Sequence, residues 1–190
     1  QGYGGAGGGL ASGGLGFNTL LHELGHGLGL AHPHDGGTAP DGTVFPGVTA
    51  DFGSYGQYGL NQGIWTVMSY NDGWTGRPTV SDVYGHAATP MALDIAAIQA
   101  IYGAAAYATV SNTYTLPKAN GGGAFWSCIW DTGGADAISA VGATVGAVIH
   151  LGAAPLVGPN AAGFISSVAG IVGGFTIANG VVIENALGGN

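Results

Sequence analysis

Three histidines and one glutamate lie within a single short segment, HELGHGLGLAH at residues 22–32. On an α-helix, residues four apart project from the same face, so His22 and His26 would present both imidazoles one turn apart. A straight helix could not bring His32 to the same ion. Gly29 could, because glycine readily adopts the left-handed conformation that ends a helix and turns the chain. The spacing predicts a three-histidine zinc site with one open coordination position, which is the catalytic rather than the structural kind.

Glu23 follows the first of these histidines and could reach a water at the metal without itself becoming a ligand. A carboxylate in that position serves as a general base in metal-assisted hydrolysis. The alternative is a core helix whose histidines match the pattern by coincidence. Five residue types at fixed offsets argue against that alternative.

A second motif, VMSY at residues 67–70, has the form of the Met-turn that accompanies such zinc helices. We expect Met68 to pack as an apolar floor under the metal site. Tyr70 could point its hydroxyl toward the zinc, and the alternative for Tyr70 is a half-buried aromatic residue. The zinc motif upstream favours the functional interpretation.

Other groups with chemical potential are expected to be structural. We predict that His34 lies on the surface rather than serving as a spare ligand. His86 is expected to be packed or hydrogen-bonded, and Cys128 to be a buried inert thiol.

Composition excludes several partners. Of the 190 residues, 6% are charged. One lysine and one arginine against ten aspartates and glutamates in total give a net charge of −8. With no basic patch, nucleic acid and anionic membranes are poor partners. Acidic carboxylates with few counter-charges suit calcium instead. We expect no membrane-spanning helix and find no signal-peptide pattern at the start.

Two helices are predicted. The first contains the zinc motif, and its apolar residues recur at helical spacing and are expected to be buried. The second should begin with Thr89 as its N-cap and Pro90 at its first position, and should end at Gly103. The apolar residues of the first helix are Phe17, Leu20, Leu21, Leu24 and Leu28.

The rest of the chain reads as loop and strand. Residues 1–16 are expected to be irregular, and the loop at 35–64 to form one wall of a substrate cleft. From about residue 105, short apolar runs alternate with Gly, Pro and Asn, which suggests a β-sandwich or β-solenoid. The predicted strands are Thr113–Leu116, Ala124–Trp130, Ala137–Val141, Ala147–Leu151, Gly163–Val168, Gly174–Ile177 and Val181–Ile183.

The sequence resembles the serralysins, secreted bacterial zinc endopeptidases of the metzincin clan. The matching segments run in the family's order and span nearly the whole chain: HELGHGLGLAHP at 22–33, VMSY at 67–70, LDIAAIQAIYGA at 93–104, IWDTGGAD at 129–136 and VVIENALGGN at 181–190. The resemblance implies an α+β chain in which residues 1–104 are the C-terminal part of a metzincin zinc-protease domain. Residues 105–190 would be an all-β calcium-binding region, a β-sandwich or the start of a β-roll.

The resemblance also implies roles for the site residues. His22, His26 and His32 would ligate zinc, and Tyr70 would be a further ligand in the resting enzyme that swings away to stabilise the oxyanion. Glu23 would be the catalytic base.

Calcium would bind where the β region begins. Asp131, Gly133 and Asp136 match one family site, and Gly134, Asp136 and Glu184, with the carbonyl of Val182, match a neighbouring one. The first site also draws on a family Arg-x-Gly-x-Thr segment, which here is represented by Thr109, Ser111 and Thr113.

The implied function is zinc-dependent hydrolysis of peptide bonds in protein or peptide substrates, by a secreted bacterial enzyme. Two departures open an alternative. About twenty glycine-rich residues precede the zinc helix where the family has a longer region, and the chain stops where the family's calcium repeats would begin. The chain could therefore be a catalytically inactive fragment that serves as a zinc-binding and calcium-binding structural module. The missing N-terminal half of the protease could be present as a separate chain.

Overall fold

The computed structural model describes residues 9–35, 44–79 and 81–189. The predictions for the first eight residues and for residues 36–43 of the long loop lie outside these ranges. Helices come first and strands second, so the chain mixes the two as expected. The elements are α1 (Leu15–Gly27), a short 3₁₀ helix (Gln57–Gly59), α2 (Ala92–Tyr102), β1 (Thr113–Thr115), β2 (Trp126–Ile129), β3 (Ala137–Ser139), β4 (Ala147–Val148), β5 (Ser167–Val168), β6 (Gly174–Ile177) and β7 (Asn185–Leu187).

The strands form small sheets in which distant segments pair side by side. The order β1-β3-β7 is parallel throughout, β2 pairs with β6 in parallel, and β4 pairs with β5 antiparallel. Parallel pairing requires the chain to travel back to the same end of the sheet between one strand and the next, as it does in a solenoid. An antiparallel sandwich would show hairpins instead, so the described ladders favour the solenoid alternative.

The last predicted strand is wrong in position. Val181 and Ile183 are buried while Val182 is exposed, so the apolar alternation reflects burial. The ladder forms four residues later, where Ala137 pairs with Asn185. Periodicity reports which side chains face the core, but it does not report which backbone groups find a partner strand.

One apolar core joins the helical and strand parts. Met68 and Met91 share a buried cluster with Trp126 and Ile138. Backbone hydrogen bonds also join the two parts. The Trp126 carbonyl accepts from Ala88 N–H at 2.9 Å, and Trp126 N–H donates to the His86 carbonyl at 3.1 Å. The division at residues 104 and 105 stays a prediction. Among the described residues, no helix has the length and apolar character needed to cross a bilayer.

Only part of the apolar stripe of α1 packs inward as predicted: Phe17 and Leu21 are half-buried, and Leu21 lies against the core. Leu20, Leu24 and Leu28 are 52%, 63% and 39% exposed, respectively. The buried residues of α1 are small ones, Gly16, Asn18 and Gly25. A helix face made of small residues can approach the core more closely than a leucine face could, and here that approach brings α1 against Met68.

Helix α2 begins two residues later than predicted. The Thr89 hydroxyl is taken up elsewhere, since it accepts a hydrogen bond from Cys128 N–H at 2.9 Å. The Asp94 carboxylate instead caps the helix by accepting from Met91 N–H at 2.8 Å. Asp94 thus supplies the N-terminal acceptor that the sequence assigned to Thr89.

Asp94 also ties α2 to the Met-turn. Its carboxylate accepts hydrogen bonds from the Thr66 hydroxyl at 2.6 Å and from Val67 N–H at 2.8 Å. The Thr66 oxygen in turn accepts from Met68 N–H at 3.1 Å. Burial raises the pKa of Asp94 to about 6, although these hydrogen bonds oppose the rise. One buried carboxylate therefore holds the turn that carries Met68.

The contact between Gly25 and Met68 predicts a difference between two neighbouring glycines. A Cβ at Gly25 would overlap the Met68 sulfur, whereas a Cβ at Gly27 would meet nothing within 4 Å. We expect Gly25→Ala to lower the free energy of unfolding by about 1–3 kcal/mol through overpacking. Gly27→Ala should raise it by up to about 1 kcal/mol through helix propensity. Urea denaturation of both variants measures the difference, and equal effects would contradict this packing.

Asp94 predicts a dependence of stability on pH. Its pKa is raised from 3.8 to about 6, so the native state keeps a proton that the unfolded chain releases across that window. Stability conferred by this group is therefore full below about pH 4 and declines by about 3 kcal/mol as the pH rises through 6. Asp94→Asn should lack this decline when unfolding is followed from pH 4 to 7 in the presence of a chelator.

A matched control removes the same charge elsewhere. The Asp82 side chain is exposed and forms no ion pair among the described residues. Asp82→Asn should keep the wild-type slope over this pH range. If both variants kept the slope, the buried Asp94 would not be its source.

Candidate metal centre

Helix α1 and the turn after it carry the three histidines to one place. His22 and His26 lie one helical turn apart, and α1 ends at Gly27 with Leu28 as its C-cap. Gly29 has a φ of +92°, the left-handed conformation expected of it. The chain folds back there, since Leu30 N–H donates to the carbonyl of Gly25 at 3.0 Å. His32 is thereby returned toward the helix.

The inner ring nitrogens converge. The Nε2 atoms of His22 and His26 each lie 3.0 Å from Nε2 of His32. Zinc at about 2.0–2.1 Å from each nitrogen would space tetrahedral ligands about 3.3 Å apart. The rings would have to move only a few tenths of an ångström to accept the ion.

The outer ring nitrogens determine which tautomer is present. Nδ1 of His22 lies 2.8 Å from the Val67 carbonyl, and Nδ1 of His26 lies 2.9 Å from the Leu30 carbonyl. A carbonyl oxygen can only accept, so both Nδ1 atoms carry the proton. In the neutral rings the Nε2 atoms present lone pairs to one another, an arrangement that repels without a cation. The donor set therefore fits a metal bound through three Nε2 atoms.

Asp35 orients the third histidine. Its Oδ2 accepts hydrogen bonds from His32 Nδ1 at 2.7 Å and from His32 N–H at 3.0 Å. Burial lowers the pKa of His32, outweighing the raising effect of Asp35, and keeps the ring neutral. Burial acts to raise the pKa of Asp35, but the hydrogen bonds from His32 outweigh it and the pKa is lowered. A carboxylate–histidine pair of this kind raises the basicity of a metal ligand.

Glu23 and Tyr70 border the same pocket. A cavity of about 280 Å³ is lined by both residues together with His22 and Phe52. Among the described residues, two groups could hold a metal ion, one of His22, His26 and His32 and one of His32, His34 and Asp35, and Glu23 belongs to neither. Glu23 is exposed toward the pocket, as a general base that is not a ligand would be. The Tyr70 ring lies against His32, with the ring centroids 4.6 Å apart.

The prediction that His34 is a surface residue is wrong. Its side chain is 8% exposed, and its ring is stacked on His32 at 4.8 Å with the planes 10° apart. It also packs on Tyr70 at 4.6 Å. His34 is therefore part of the aromatic packing behind the site, a place that its position two residues beyond a ligand did not indicate.

Two other structural predictions are confirmed. His86 is buried, and its Nε2 donates to the Ser81 carbonyl at 3.1 Å. Cys128 is buried, and burial raises the pKa of its thiol to about 12. A thiol with that pKa stays protonated and unreactive near neutral pH.

The segments predicted to bind calcium lie side by side. Gly133 and Gly134 approach the segment before β1 closely. A Cβ added to Gly134 would lie 2.6 Å from Ser111 N, and a Cβ added to Gly133 would lie 3.7 Å from the Thr109 carbonyl oxygen. Asp136 accepts a hydrogen bond from Asn112 N–H at 2.7 Å, and its own N–H donates to Glu184 at 2.7 Å. The structure thus brings together the strand ends on which these residues lie. Thr113 is the first residue of β1, and Val182 is exposed just before Glu184.

Sequence reasoning missed two positioning residues. Asp35 lies three residues beyond a predicted ligand, and Asp94 lies at the third position of α2. An acidic residue at that helix position is a known capping signal that could have identified Asp94. Its bonds to Thr66 and Val67 join segments 27 and 28 residues apart, which no local pattern contains.

Comparison with known proteins agrees with the sequence motifs. The family described as "Peptidase M10 serralysin C terminal" matches residues 92–190, more than half of the chain. Serralysin C of Dickeya chrysanthemi is 36% identical over 188 aligned residues, covering 92% of this chain and 35% of that protein. Metallopeptidase AprA of Pseudomonas marginalis is 35% identical, with 92% and 35% coverage.

Serralysin of Photorhabdus luminescens is similar to the same degree, with 36% identity and 93% and 35% coverage. The chain thus spans about a third of the length of the curated relatives that it matches. The identities to these relatives extend over more than nine tenths of the chain, whereas the family match covers residues 92–190, which follow the histidine segment. The chain belongs to the serralysin family of M10 peptidases.

Proposed function

We propose that this chain carries the active site of a zinc-dependent endopeptidase. The proposal rests on the convergence of the Nε2 atoms of His22, His26 and His32. In each ring the other nitrogen, Nδ1, donates a hydrogen bond to a backbone carbonyl or to the Asp35 carboxylate. Relatives named serralysin and metallopeptidase support it. The open pocket beside the histidines gives a peptide access to the centre.

His22, His26 and His32 would hold the zinc, with Tyr70 as a further ligand at rest. Zinc at such a site supplies a Lewis acid that polarises a carbonyl and lowers the pKa of water to about 7. Asp35 and the carbonyls of Val67 and Leu30 keep the rings turned toward the ion.

Glu23 would move the proton in the reaction. Its carboxylate takes a proton from the attacking water and passes it to the leaving amine. The Tyr70 hydroxyl would donate a hydrogen bond to the oxygen that becomes negative during attack. The ring of Tyr70 packs against His34 and Phe52, with centroids 4.6 and 5.3 Å away, and these contacts define its resting place.

We extend the proposal to calcium at the start of the β region. Asp131 and Asp136 are 4% and 1% exposed, and among the described residues neither forms a salt bridge. A buried carboxylate without a counter-charge is costly, and a cation would offset that cost. Carboxylate and carbonyl oxygens near glycine turns suit calcium. The other proposed ligands are Thr109, Ser111, Thr113, Gly133, Gly134, Val182 and Glu184.

The exposed leucines of α1 suggest a further partner. Leu20, Leu24 and Leu28 form a stripe along the zinc helix, and the chain spans about a third of its relatives' length. We propose that an upstream half of the protease, in the same or a separate polypeptide, covers this stripe. We also propose secretion from a bacterium, which is supported by the serralysin relatives.

Exchange of the general base tests the proposed activity. Glu23→Gln keeps the shape of the side chain but cannot accept the proton, so kcat on casein should fall by about 10²–10⁴-fold. Bound zinc, measured by metal analysis, should remain, because Glu23 is not in the histidine cluster. Tyr70→Phe should give a smaller loss of kcat with zinc retained.

The comparison should use the full-length protein that contains this chain, with and without chelator, and then the chain alone. Activity that survives in Glu23→Gln would refute the role of Glu23. Zinc binding with no casein cleavage by the wild-type full-length protein would favour the alternative, an inactive zinc-binding and calcium-binding structural module.

Calcium should stabilise the chain through Asp136. At a calcium concentration about 100 times Kd, binding would add about 2.7 kcal/mol to the free energy of unfolding. Asp136→Asn should lose most of that gain when thermal unfolding is compared in calcium and in a calcium chelator. Asp51→Asn, the same charge change at an exposed site, should keep it. An unchanged calcium effect in Asp136→Asn would exclude this site.

A further inference from the structure

A second and larger cavity adjoins the metal-site pocket. It has a volume of about 600 Å³ and shares Leu15 and Asp72 with that pocket. Its wall includes the polar side chains of Asp72, Asp82 and His86. A volume of this size is in the range of pockets that hold ligands. A peptide bound at the histidines would therefore have a deep recess beside it.

His86 contributes a buried acceptor without a partner. Its side chain is 5% exposed, and its Nε2 donates to the Ser81 carbonyl at 3.1 Å. The neutral ring therefore presents a lone pair at Nδ1, which has no hydrogen-bond partner among the described residues. Burying such an acceptor unsatisfied costs free energy, so a donor from a ligand would be stabilising here.

Asp72 faces the same lone pair across a gap. The distance from Asp72 Oδ2 to His86 Nδ1 is 4.0 Å, too long for a hydrogen bond. The two acceptors therefore lie 4.0 Å apart, and His86 Nδ1 has no donor partner among the described residues.

The cavity has carboxylates but no basic side chain among its described lining residues. Arg77 does not line the cavity; its guanidinium lies 6.0 Å from the Trp74 ring centroid and donates to the carbonyls of Val168 and Ile171 at 2.6 and 2.8 Å. The N-terminus of α1 brings about half a positive charge near Leu15, less than the two carboxylates carry. The net charge of −8 also attracts cationic peptides from a distance.

We propose that this cavity receives an arginine or lysine side chain of the substrate, next to the scissile bond. A guanidinium suits the gap because its several N–H groups can donate to Asp72 and to His86 Nδ1 together. This inference rests on the proposed peptidase function and adds a substrate class to it: proteins with basic residues at the cleavage point.

The test uses matched peptides and the zinc-loaded full-length protein. Four positions next to the scissile bond are tested, with one set of peptides for each position. Within a set, the three peptides carry arginine, citrulline or leucine at that position and are otherwise identical. Citrulline keeps the shape of arginine but has no charge. Wild type should cleave the arginine peptide about tenfold faster than the citrulline peptide, in kcat/KM, at one of these positions.

Variants assign the preference to the cavity. Asp72→Asn should reduce the arginine-to-citrulline ratio to about twofold or less, and Asp82→Asn, at an exposed position, should reduce it partly. Asp51→Asn makes the same charge change outside the cavity and should keep the ratio. Each variant's melting temperature confirms that it is folded.

The outcomes separate this inference from the function beneath it. Cleavage of all peptides with equal rates for arginine and citrulline would overturn the pocket and leave the peptidase intact. A wild-type ratio in both Asp72→Asn and Asp82→Asn would overturn it as well. Cleavage of no peptide would refute the peptidase function and the pocket together.

Discussion

The central constraint in this structure is that three imidazole lone pairs point at one another. Nε2 of His32 lies 3.0 Å from Nε2 of His22 and 3.0 Å from Nε2 of His26. The opposite nitrogens hold the rings in this arrangement through the carbonyls of Val67 and Leu30 and through Asp35. These hydrogen bonds therefore maintain a cluster of ring nitrogens that the proposed zinc ion would stabilise.

These acceptors come from two parts of the fold: Leu30 and Asp35 lie in the segment after α1, and Val67 lies in the Met-turn. Val67 is held by Asp94 of α2, so the position of His22 depends on the contact between the Met-turn and a helix that begins at Ala92. The Leu30 carbonyl is placed by the turn at Gly29. A site assembled in this way needs the Met-turn to be held against α1, because one support comes from that turn and the other two come from the segment after α1.

Carboxylates without a basic side chain as a partner occur at two places in the described part of the structure. Asp131 and Asp136 are buried at the start of the β region, and Asp72 faces the unpartnered nitrogen of His86 beside the metal centre. With two basic side chains in 190 residues, the chain has few internal cations to pair with its acids. Bound ions and cationic substrates are the partners that we propose for these acids.

The sequence by itself determined the features that depend on local spacing. Helical periodicity put His22 and His26 on one face, Gly29 allowed the reversal, and the matching segments indicated the family. Tertiary structure decided which faces were buried and where hydrogen bonds ended: Leu20, Leu24 and Leu28 point outward, His34 packs inside, Thr89 bonds to Cys128 instead of capping α2, and the last strand forms at Asn185. These outcomes depend on contacts between residues far apart in the chain, where space and unpaired backbone groups outweigh local preference.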